Sequence, residues 1–296
     1  MTTKEKIFLL VFGICFIISG VLIAGQLPIF VHNHKDIDGN PDDDSWKHRL
    51  DNITTPAPSS DNDTNASKDK DADFSKDTSE ITSDFYEENT TISDENAKPS
   101  FVTVDNSYFD DALFIGDSRM EGIKDYSDIK NATFYVSSGL NVFKINKNNI
   151  EVDGYGKTSF SHVLNAKKYG KVYLMSGLNE SGYKLNVIMN QYTSIVAQIR
   201  KAQPDSLIFL CANLHVSAKI DESEKYRNNK KLNEINEGIK TLADNKSIFY
   251  IDINKDHFND ENGYLDSNIT TDGVHFLGKY YKIWGQWFRE HGIMKK

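Results

Sequence analysis

Three short motifs carry the side chains that an acyl-transfer reaction needs. They are Gly116-Asp117-Ser118-Arg119, Gly177-Leu178-Asn179-Glu180 and Asp272-Gly273-Val274-His275, in this order along the chain. Together they supply a serine, a side-chain amide, a carboxylate and an imidazole. These groups are a nucleophile, a donor to an oxyanion, a group that orients a base, and the base itself. Each motif alone is weak, but their order and their placement at predicted strand ends make the set specific.

Ser118 comes directly after the apolar run Ala112–Gly116 and is expected to open a helix. A hydroxyl and a backbone N–H at that position lie at the positive end of the helix, where negative charge is stabilised. The ordinary alternative is that Asp117-Ser118 only caps the helix. The other two motifs favour the catalytic interpretation.

Two further residues are candidates for an oxyanion hole. Asn179 follows a predicted strand, so its amide can donate to an oxyanion there, although asparagine after glycine is also typical of a turn. Gly139 follows another predicted strand and can add a backbone N–H, although by itself it is an ordinary turn glycine.

Asp272 and His275 are three residues apart, at the entry to the last predicted helix. This spacing lets the carboxylate approach the ring while the other ring nitrogen faces Ser118. The alternative is that Asp272 caps the helix and His275 is a surface residue. His257 is the main rival base, and His215, after the fourth predicted strand, is a candidate to line the pocket.

Other chemistries lack their sequence signatures. The chain has no His-Glu-x-x-His, no Cys-x-x-Cys and no tight carboxylate cluster in its predicted folded region, which disfavours a metal hydrolase. No P-loop and no glycine-rich dinucleotide fingerprint occurs, so we expect neither a metal nor a cofactor. No basic stripe interleaved with aromatic residues suggests a nucleic-acid partner.

The N-terminal part, residues 1–32, is expected to be a transmembrane anchor. Residues 7–25 contain no charge and are long enough to cross a bilayer as a helix. Lys4 and Lys6 precede the run and acidic residues follow Lys35, so the positive-inside rule places the remainder of the chain outside the cell membrane. A cleaved signal peptide is the alternative, but Leu22 and Ile23 occupy positions where a cleavage site needs small residues.

Residues 33–104 are expected to be a disordered acidic linker. Residues 36–100 contain 18 Asp and Glu against 6 Lys and Arg, and they show almost no periodic apolar pattern. Residues 105–296 are the expected catalytic domain, with a charge near neutral. Cys211 is the only cysteine in it, so we expect no disulfide there.

Short apolar runs rich in β-formers alternate with helical patterns in the expected catalytic domain. The predicted strands are Ala112–Gly116, Thr133–Ser137, Lys171–Ser176, Leu207–Ala212 and Ser247–Asp252, and the clearest helices are Lys184–Lys201, Arg227–Asn245 and about Leu277–Glu290. This alternation predicts a parallel sheet covered on both faces. Sites in such folds form at the carboxyl ends of the strands, where the motifs lie.

The motifs resemble blocks of the SGNH/GDSL hydrolase family over roughly Ser107–Gly292. The resemblance implies a flavodoxin-like three-layer α/β/α fold with a five-stranded parallel sheet. It also implies that Ser118 is the nucleophile, His275 the base and Asp272 its partner. The implied oxyanion hole consists of the Ser118 and Gly139 backbone N–H groups and the Asn179 side chain. Glu180 stands where the family usually has Asp, at a position that supports a loop.

These features predict a membrane-anchored, extracytoplasmic serine esterase that hydrolyses an O-acyl, in particular an O-acetyl, ester. Its partners would be the membrane, through the N-terminal helix, and an acylated small molecule or a polysaccharide such as peptidoglycan. Two alternatives remain open. The same triad serves an O-acyltransferase that uses a sugar hydroxyl, and the same fold serves a catalytically idle carbohydrate-binding module.

Overall fold

The structure of the protein is a computed structural model that describes residues 100–294. Five parallel strands form the central sheet of this part of the chain. The seven strands are β1 (Ala112–Gly116), β2 (Thr133–Val136), β3 (Asn149–Val152), β4 (Gly156–Ser159), β5 (Lys171–Met175), β6 (Leu207–Cys211) and β7 (Ile248–Ile251). The sheet has the order β2-β1-β5-β6-β7, and β3 and β4 form a separate antiparallel hairpin. Each predicted strand matches a sheet strand to within one residue at either end.

The sheet order confirms the predicted α/β fold with a five-stranded parallel sheet. The second strand pairs on one side of the first, and the third, fourth and fifth sheet strands follow on the other side, which is the flavodoxin-like order. Gly116, at the end of β1, pairs with Val136 of β2 and with Met175 of β5. The order reverses around β1, so the ends of these three strands enclose a crevice.

Helices cover both faces of the sheet. They are α1 (Ser118–Tyr126), α2 (Phe160–Ala166), α3 (Leu185–Ala202), α4 (Ala218–Ser223), α5 (Asn229–Lys240) and α6 (Tyr280–Glu290). Because strand side chains alternate between faces, Leu113 and Ile115 join one core with α2, α3 and α5, whereas Phe114 joins a second core with α1 and α6. The three layers of the fold follow from this alternation.

Several elements differ from the sequence-based expectation. The hairpin of β3 and β4 was not predicted, and neither were the short helices α2 and α4. Helix α5 ends at Lys240, short of the predicted Asn245, because Asp244 accepts backbone N–H bonds from residues 246–248 and Asn245 adopts a φ of 54°. Helix α6 begins at Tyr280, three residues after the predicted Leu277.

The predicted transmembrane helix and most of the predicted linker lie outside the described residues. Within residues 100–294, no helix combines the length and the apolar character that a bilayer span requires. Val102 and Val104, which the predicted boundaries assign to the linker, form backbone hydrogen bonds with Gly292 and Arg289 at the end of α6. Val102 and Val104 are therefore part of the folded domain, whose predicted start was residue 105.

Candidate active site

The predicted site residues lie in the loops at the carboxyl edge of the sheet. Ser118 follows β1 as the first residue of α1, and Gly139 lies in the turn after β2. Asn179 lies in the loop after β5, and His275 in the loop before α6. These loops flank the crevice at which the strand order reverses.

Ser118, His275 and Asp272 form a continuous hydrogen-bonded chain. Ser118 Oγ lies 2.8 Å from His275 Nε2, and His275 Nδ1 lies 2.7 Å from Asp272 Oδ2. The His275 side chain is 36% exposed, so a substrate can reach this chain from solvent. A serine whose proton can pass to a ring held by a carboxylate has the arrangement of an activated nucleophile.

Asp272 is held as a carboxylate by its own loop. Burial alone would raise its pKa, but hydrogen bonds from the ring and the N–H of His275 and from the N–H of Val274 hold the pKa well below its usual range. An ionised Asp272 accepts the Nδ1 proton of His275, which leaves Nε2 as the acceptor that faces Ser118. The carboxylate does not cap α6, because that helix begins only at Tyr280.

The candidate oxyanion donors lie in neighbouring loops. Asn179 Nδ2 donates to Asp117 Oδ2 at 3.3 Å and to the Leu140 carbonyl at 3.1 Å, so it contacts both the residue before Ser118 and the residue after Gly139. Gly139 has a φ of 70°, and its N–H has no acceptor among the described residues. The Ser118 N–H belongs to the first helical turn, whose N–H groups have no partner within the helix.

Asp117, rather than Ser118, is the N-cap of α1. Its Oδ1 accepts the Arg119 N–H at 3.0 Å, so the capping interpretation of this motif applies to Asp117 and leaves the Ser118 hydroxyl available for His275. Burial raises the pKa of Asp117, and the nearby Arg119 guanidinium opposes that shift.

Arg119 is a positioning residue that sequence analysis did not identify, although it belongs to the first motif. Its buried guanidinium donates to the carbonyls of Leu214 and His215 in the loop after β6, and to the carbonyl of Val274 beside the base. Burial lowers the pKa of Arg119, and the nearby Asp117 carboxyl opposes that shift. One side chain of α1 therefore connects the helix that carries Ser118 to the loop that carries His275.

Glu180 connects two of the site loops. It is fully buried, and its Oε1 accepts the Ser176 hydroxyl at 2.7 Å and the Val142 N–H at 3.2 Å, which joins the loop of Asn179 to the loop of Gly139. Burial raises the pKa of Glu180 to about 7, against the opposing effect of these two hydrogen bonds. Its other oxygen has no hydrogen-bond partner among residues 100–294.

The rival histidines lie elsewhere. His257 is exposed after β7 and lines two shallow concavities formed with α6, the larger of about 360 Å³, neither of which includes a triad residue. His215 Nε2 lies 2.8 Å from Asn233 Oδ1, and its Nδ1 lies 2.7 Å from the Gly263 carbonyl. Both ring nitrogens of His215 thus have structural partners. Within residues 100–294, no group of three or more His, Cys, Asp or Glu is arranged to hold a metal ion.

The sequence from residue 114 to residue 283 matches the profile of the GDSL-like Lipase/Acylhydrolase family. The matched segment starts in β1 and ends in α6. It therefore contains every residue of the candidate triad and every candidate oxyanion donor. A comparison with curated proteins finds no match.

Three solved structures that are similar to this fold are distant in sequence. A protein from Streptococcus pneumonia, provisionally described as a platelet activating factor, is 22% identical over 60% of this chain and 81% of its own, with a TM-score of 0.47. A GDSL-like lipase from Bacteroides thetaiotaomicron is 17% identical over 64% and 89%, with a TM-score of 0.46. Est24, a carbohydrate acetylesterase from Sinorhizobium meliloti, is 13% identical over 60% and 95%, with a TM-score of 0.39.

Proposed function

From the premise that this chain belongs to the GDSL-like lipase/acylhydrolase family and is a serine ester hydrolase, we propose that Ser118, His275 and Asp272 hydrolyse an O-acyl ester, specifically an O-acetyl ester of a carbohydrate. The observation that carries the proposal is the hydrogen-bonded chain from Ser118 Oγ through His275 to Asp272. The first of these hydrogen bonds joins Ser118 to His275, which are 157 positions apart in the sequence.

The first half of the reaction forms an acyl-serine. Ser118 Oγ attacks the ester carbonyl carbon while its proton passes to His275 Nε2, and the carbonyl oxygen becomes an oxyanion. Asp272 stabilises the imidazolium that forms. The N–H groups of Ser118 and Gly139 and the Asn179 amide donate to the oxyanion. The intermediate then collapses, the alcohol oxygen leaves, and His275 returns the proton to it.

The second half of the reaction releases the acid. His275, neutral again, accepts a proton from water as the water oxygen attacks the acyl-serine carbonyl. A second oxyanion forms at the same donors and collapses, Ser118 Oγ leaves with the proton from His275, and the carboxylic acid departs. If a sugar hydroxyl takes the place of water, the same steps transfer the acyl group.

The proposal places this reaction outside the cell membrane, at the surface of the cell envelope. Residues 7–25 have the length and the absence of charge of a membrane-spanning helix, and Lys4 and Lys6 lie on its N-terminal side. An enzyme anchored in this way would meet the acylated polysaccharide or peptidoglycan of the envelope. The partial exposure of the His275 side chain also suits a bulky alcohol portion carrying a short acyl group.

A fluorophosphonate probe tests the nucleophile. The full-length wild-type chain should be labelled, and Ser118→Ala should not be labelled although it remains folded by circular dichroism. Ser161→Ala is the matched control, because Ser161 is an exposed helical serine outside the candidate site. Equal labelling of the wild type and Ser118→Ala would exclude Ser118 as the nucleophile.

A series of p-nitrophenyl esters tests the acyl group. We expect turnover of the acetate ester and a steep decline with longer chains, because neither of the two concavities along α6 includes a triad residue that could place a long acyl chain beside Ser118. Faster turnover of the octanoate ester would contradict the assignment to acetyl esters. Addition of a sugar acceptor to the acetate reaction distinguishes hydrolysis from transfer by the appearance of an acetylated sugar.

A further inference from the structure

Two aromatic side chains pack together on the loops of the candidate oxyanion donors, and a third lies against one of these loops. The rings of Phe143 and Tyr183 lie 4.6 Å apart between centroids, at an interplanar angle of 40°. Tyr226 covers the backbone next to Tyr183, since a Cβ placed on Gly182 would lie only 3.5 Å from Tyr226 Cγ. We refer to Phe143, Tyr183 and Tyr226 as the aromatic platform.

Two members of the aromatic platform, Phe143 and Tyr183, lie on the two loops that carry the candidate oxyanion donors. Phe143 follows Gly139 by four residues, and Tyr183 follows Asn179 by four residues. The hydrogen bond from Asn179 to the Leu140 carbonyl and that from the Val142 N–H to Glu180 join these loops. Phe143 and Tyr183 therefore belong to the same connected pair of loops as the candidate oxyanion donors.

The two tyrosines of the platform are unusually exposed. Tyr183 is 41% exposed and Tyr226 is 47% exposed, and they are the aromatic members of the small set of exposed large apolar residues in the described part of the chain. Exposed apolar patches with polar residues around them are typical of ligand-binding sites and other interaction sites. Polar groups lie close to the aromatic platform: the Lys225 ammonium lies over the Tyr226 ring, 5.1 Å from its centre, and Lys144 donates to the Gly139 carbonyl at 3.2 Å.

We propose that the aromatic platform binds a pyranose ring in the alcohol portion of the ester, so that the sugar stacks on Tyr226 and Tyr183 while its acetyl group reaches Ser118. The proposal rests on the proposed esterase function and defines its substrate class. The C–H face of a pyranose is flat and apolar, and its hydroxyl groups project from the edge. An open aromatic surface with polar groups around it is complementary to that shape. A long acyl chain instead needs an enclosed apolar cleft, whereas both tyrosines of the platform are exposed.

Tyr226 offers the sharpest test, because its backbone belongs to neither oxyanion loop. In the full-length protein, Tyr226→Ala should raise KM for acetylated xylotetraose about tenfold, equivalent to about 1.4 kcal/mol, and leave kcat/KM for ethyl acetate, which has no ring to stack, within about twofold. Tyr226→Phe keeps the ring and should retain most of the affinity. Ile283→Ala is the control, since Ile283 is also 41% exposed but lies on α6.

Three outcomes for Tyr226→Ala would overturn the role of the aromatic platform in sugar binding. An equal loss of activity on both substrates would indicate a structural role, and unchanged activity on both would indicate no role. A loss of activity only on p-nitrophenyl octanoate would indicate that the surface binds an acyl chain.

A binding measurement separates this proposal from the reaction itself. In a Ser118→Ala background, acetylated xylotetraose should bind, and adding Tyr226→Ala should weaken binding about tenfold. Binding without turnover in the wild type would overturn the esterase and leave the platform, whereas turnover of p-nitrophenyl acetate without sugar binding would overturn only the platform.

Discussion

The side-chain amide of Asn179 donates to two acceptors, the Asp117 carboxyl and the Leu140 carbonyl. Its bond to Asp117 is long at 3.3 Å, so donation to a developing oxyanion can replace this bond with little loss. Because the donor acts on charge present only in the transition state, we expect Asn179→Ala to lower kcat by roughly 10²–10³ and to change KM little. Steady-state kinetics with p-nitrophenyl acetate measure both constants.

Asn268→Ala is the matched control for the Asn179 variant. The Asn268 side chain is exposed and donates only to Asp266, in a short 3₁₀ helix outside the site. Its kcat should equal that of the wild type. If Asn179→Ala raised KM and left kcat unchanged, the amide would be a substrate-binding group and not an oxyanion donor.

Glu180 should make the stability of the protein depend on pH. Its pKa is about 7 in the folded state, against 4.5 for an unperturbed glutamate, because burial disfavours the charged form. The folded state therefore retains a proton that the unfolded chain has lost across this window. The resulting stabilisation is complete below about pH 4.5 and is lost as the pH rises through about 7.

Glu180→Gln should remove this pH dependence. Relative to the variant, the wild type should lose about 3 kcal/mol of unfolding free energy between pH 4.5 and pH 8. Urea unfolding at several pH values measures the difference, and Glu290→Gln, an exposed position on α6, is the control. Parallel pH profiles for the wild type and Glu180→Gln would show that Glu180 does not titrate in this range.

The sequence predicts the reactive groups of the site better than the groups that support them. Ser118, Asn179 and His275 belong to short contiguous motifs, so their residue types and their places at strand ends are visible in the chain itself. The partners of Arg119 are backbone carbonyls 95 to 155 positions away, and a carbonyl leaves no trace in residue identity. The same reason hides the Leu140 carbonyl that engages Asn179.

The loop between Asp272 and His275 depends on the glycine at its centre. Gly273 has a φ of 77°, a backbone conformation that is strained for residues with a side chain. A Cβ at this position would also lie 2.3 Å from Ser217 Oγ, which is a steric clash. Gly273→Ala should therefore lower the unfolding free energy by more than the roughly 1–2 kcal/mol of a left-handed conformation alone. It should also lower kcat, because the loop carries both the base and its carboxylate partner.

Gly154→Ala isolates the backbone component of that effect. Gly154 has a φ of 80° in the turn between β3 and β4, but a Cβ there would have no neighbour within 4 Å. Thermal unfolding should show a loss of only about 1–2 kcal/mol for this variant, and kcat should not change. Equal losses of stability and equal activity in the two variants would show that the Gly273 loop tolerates the clash.

Elements with a strong apolar pattern were predictable, and elements that depend on distant contacts were not. The five sheet strands are continuous apolar runs because both of their faces are buried, so their bounds follow from composition. Strands β3 and β4 bury only Ile150, Val152 and Thr158, and they lie among lysine, asparagine and glycine residues. Such a short alternating pattern gives little signal, and the hairpin is defined by its pairing instead.

The sheet provides a rigid base for the site because both of its faces are covered. On one face, the rings of Phe114, Tyr173 and Phe209 stack across three neighbouring strands, with centroids 4.4 and 4.5 Å apart. Trp284 and Phe288 of α6 belong to the same core. The candidate site residues lie in loops at the ends of these strands, so the cores on both faces hold Ser118 and the loops of Gly139 and Asn179 in register.

The predicted acidic linker should be accessible to protease on intact cells. Residues 36–100 carry a large excess of acidic residues and few apolar ones, and such segments are preferred sites of proteolytic cleavage. A protease added outside should cleave there and release a folded fragment of about 190 residues that still reacts with a fluorophosphonate probe. Val102 and Val104 pair with the end of α6, so the fragment should begin before Val102.

N-terminal sequencing of the fragment locates the cut, and an intact cytoplasmic marker shows that the cells remained closed. Release of the active fragment without added protease would indicate cleavage of a signal peptide, and full protection would place this part of the chain inside the cell.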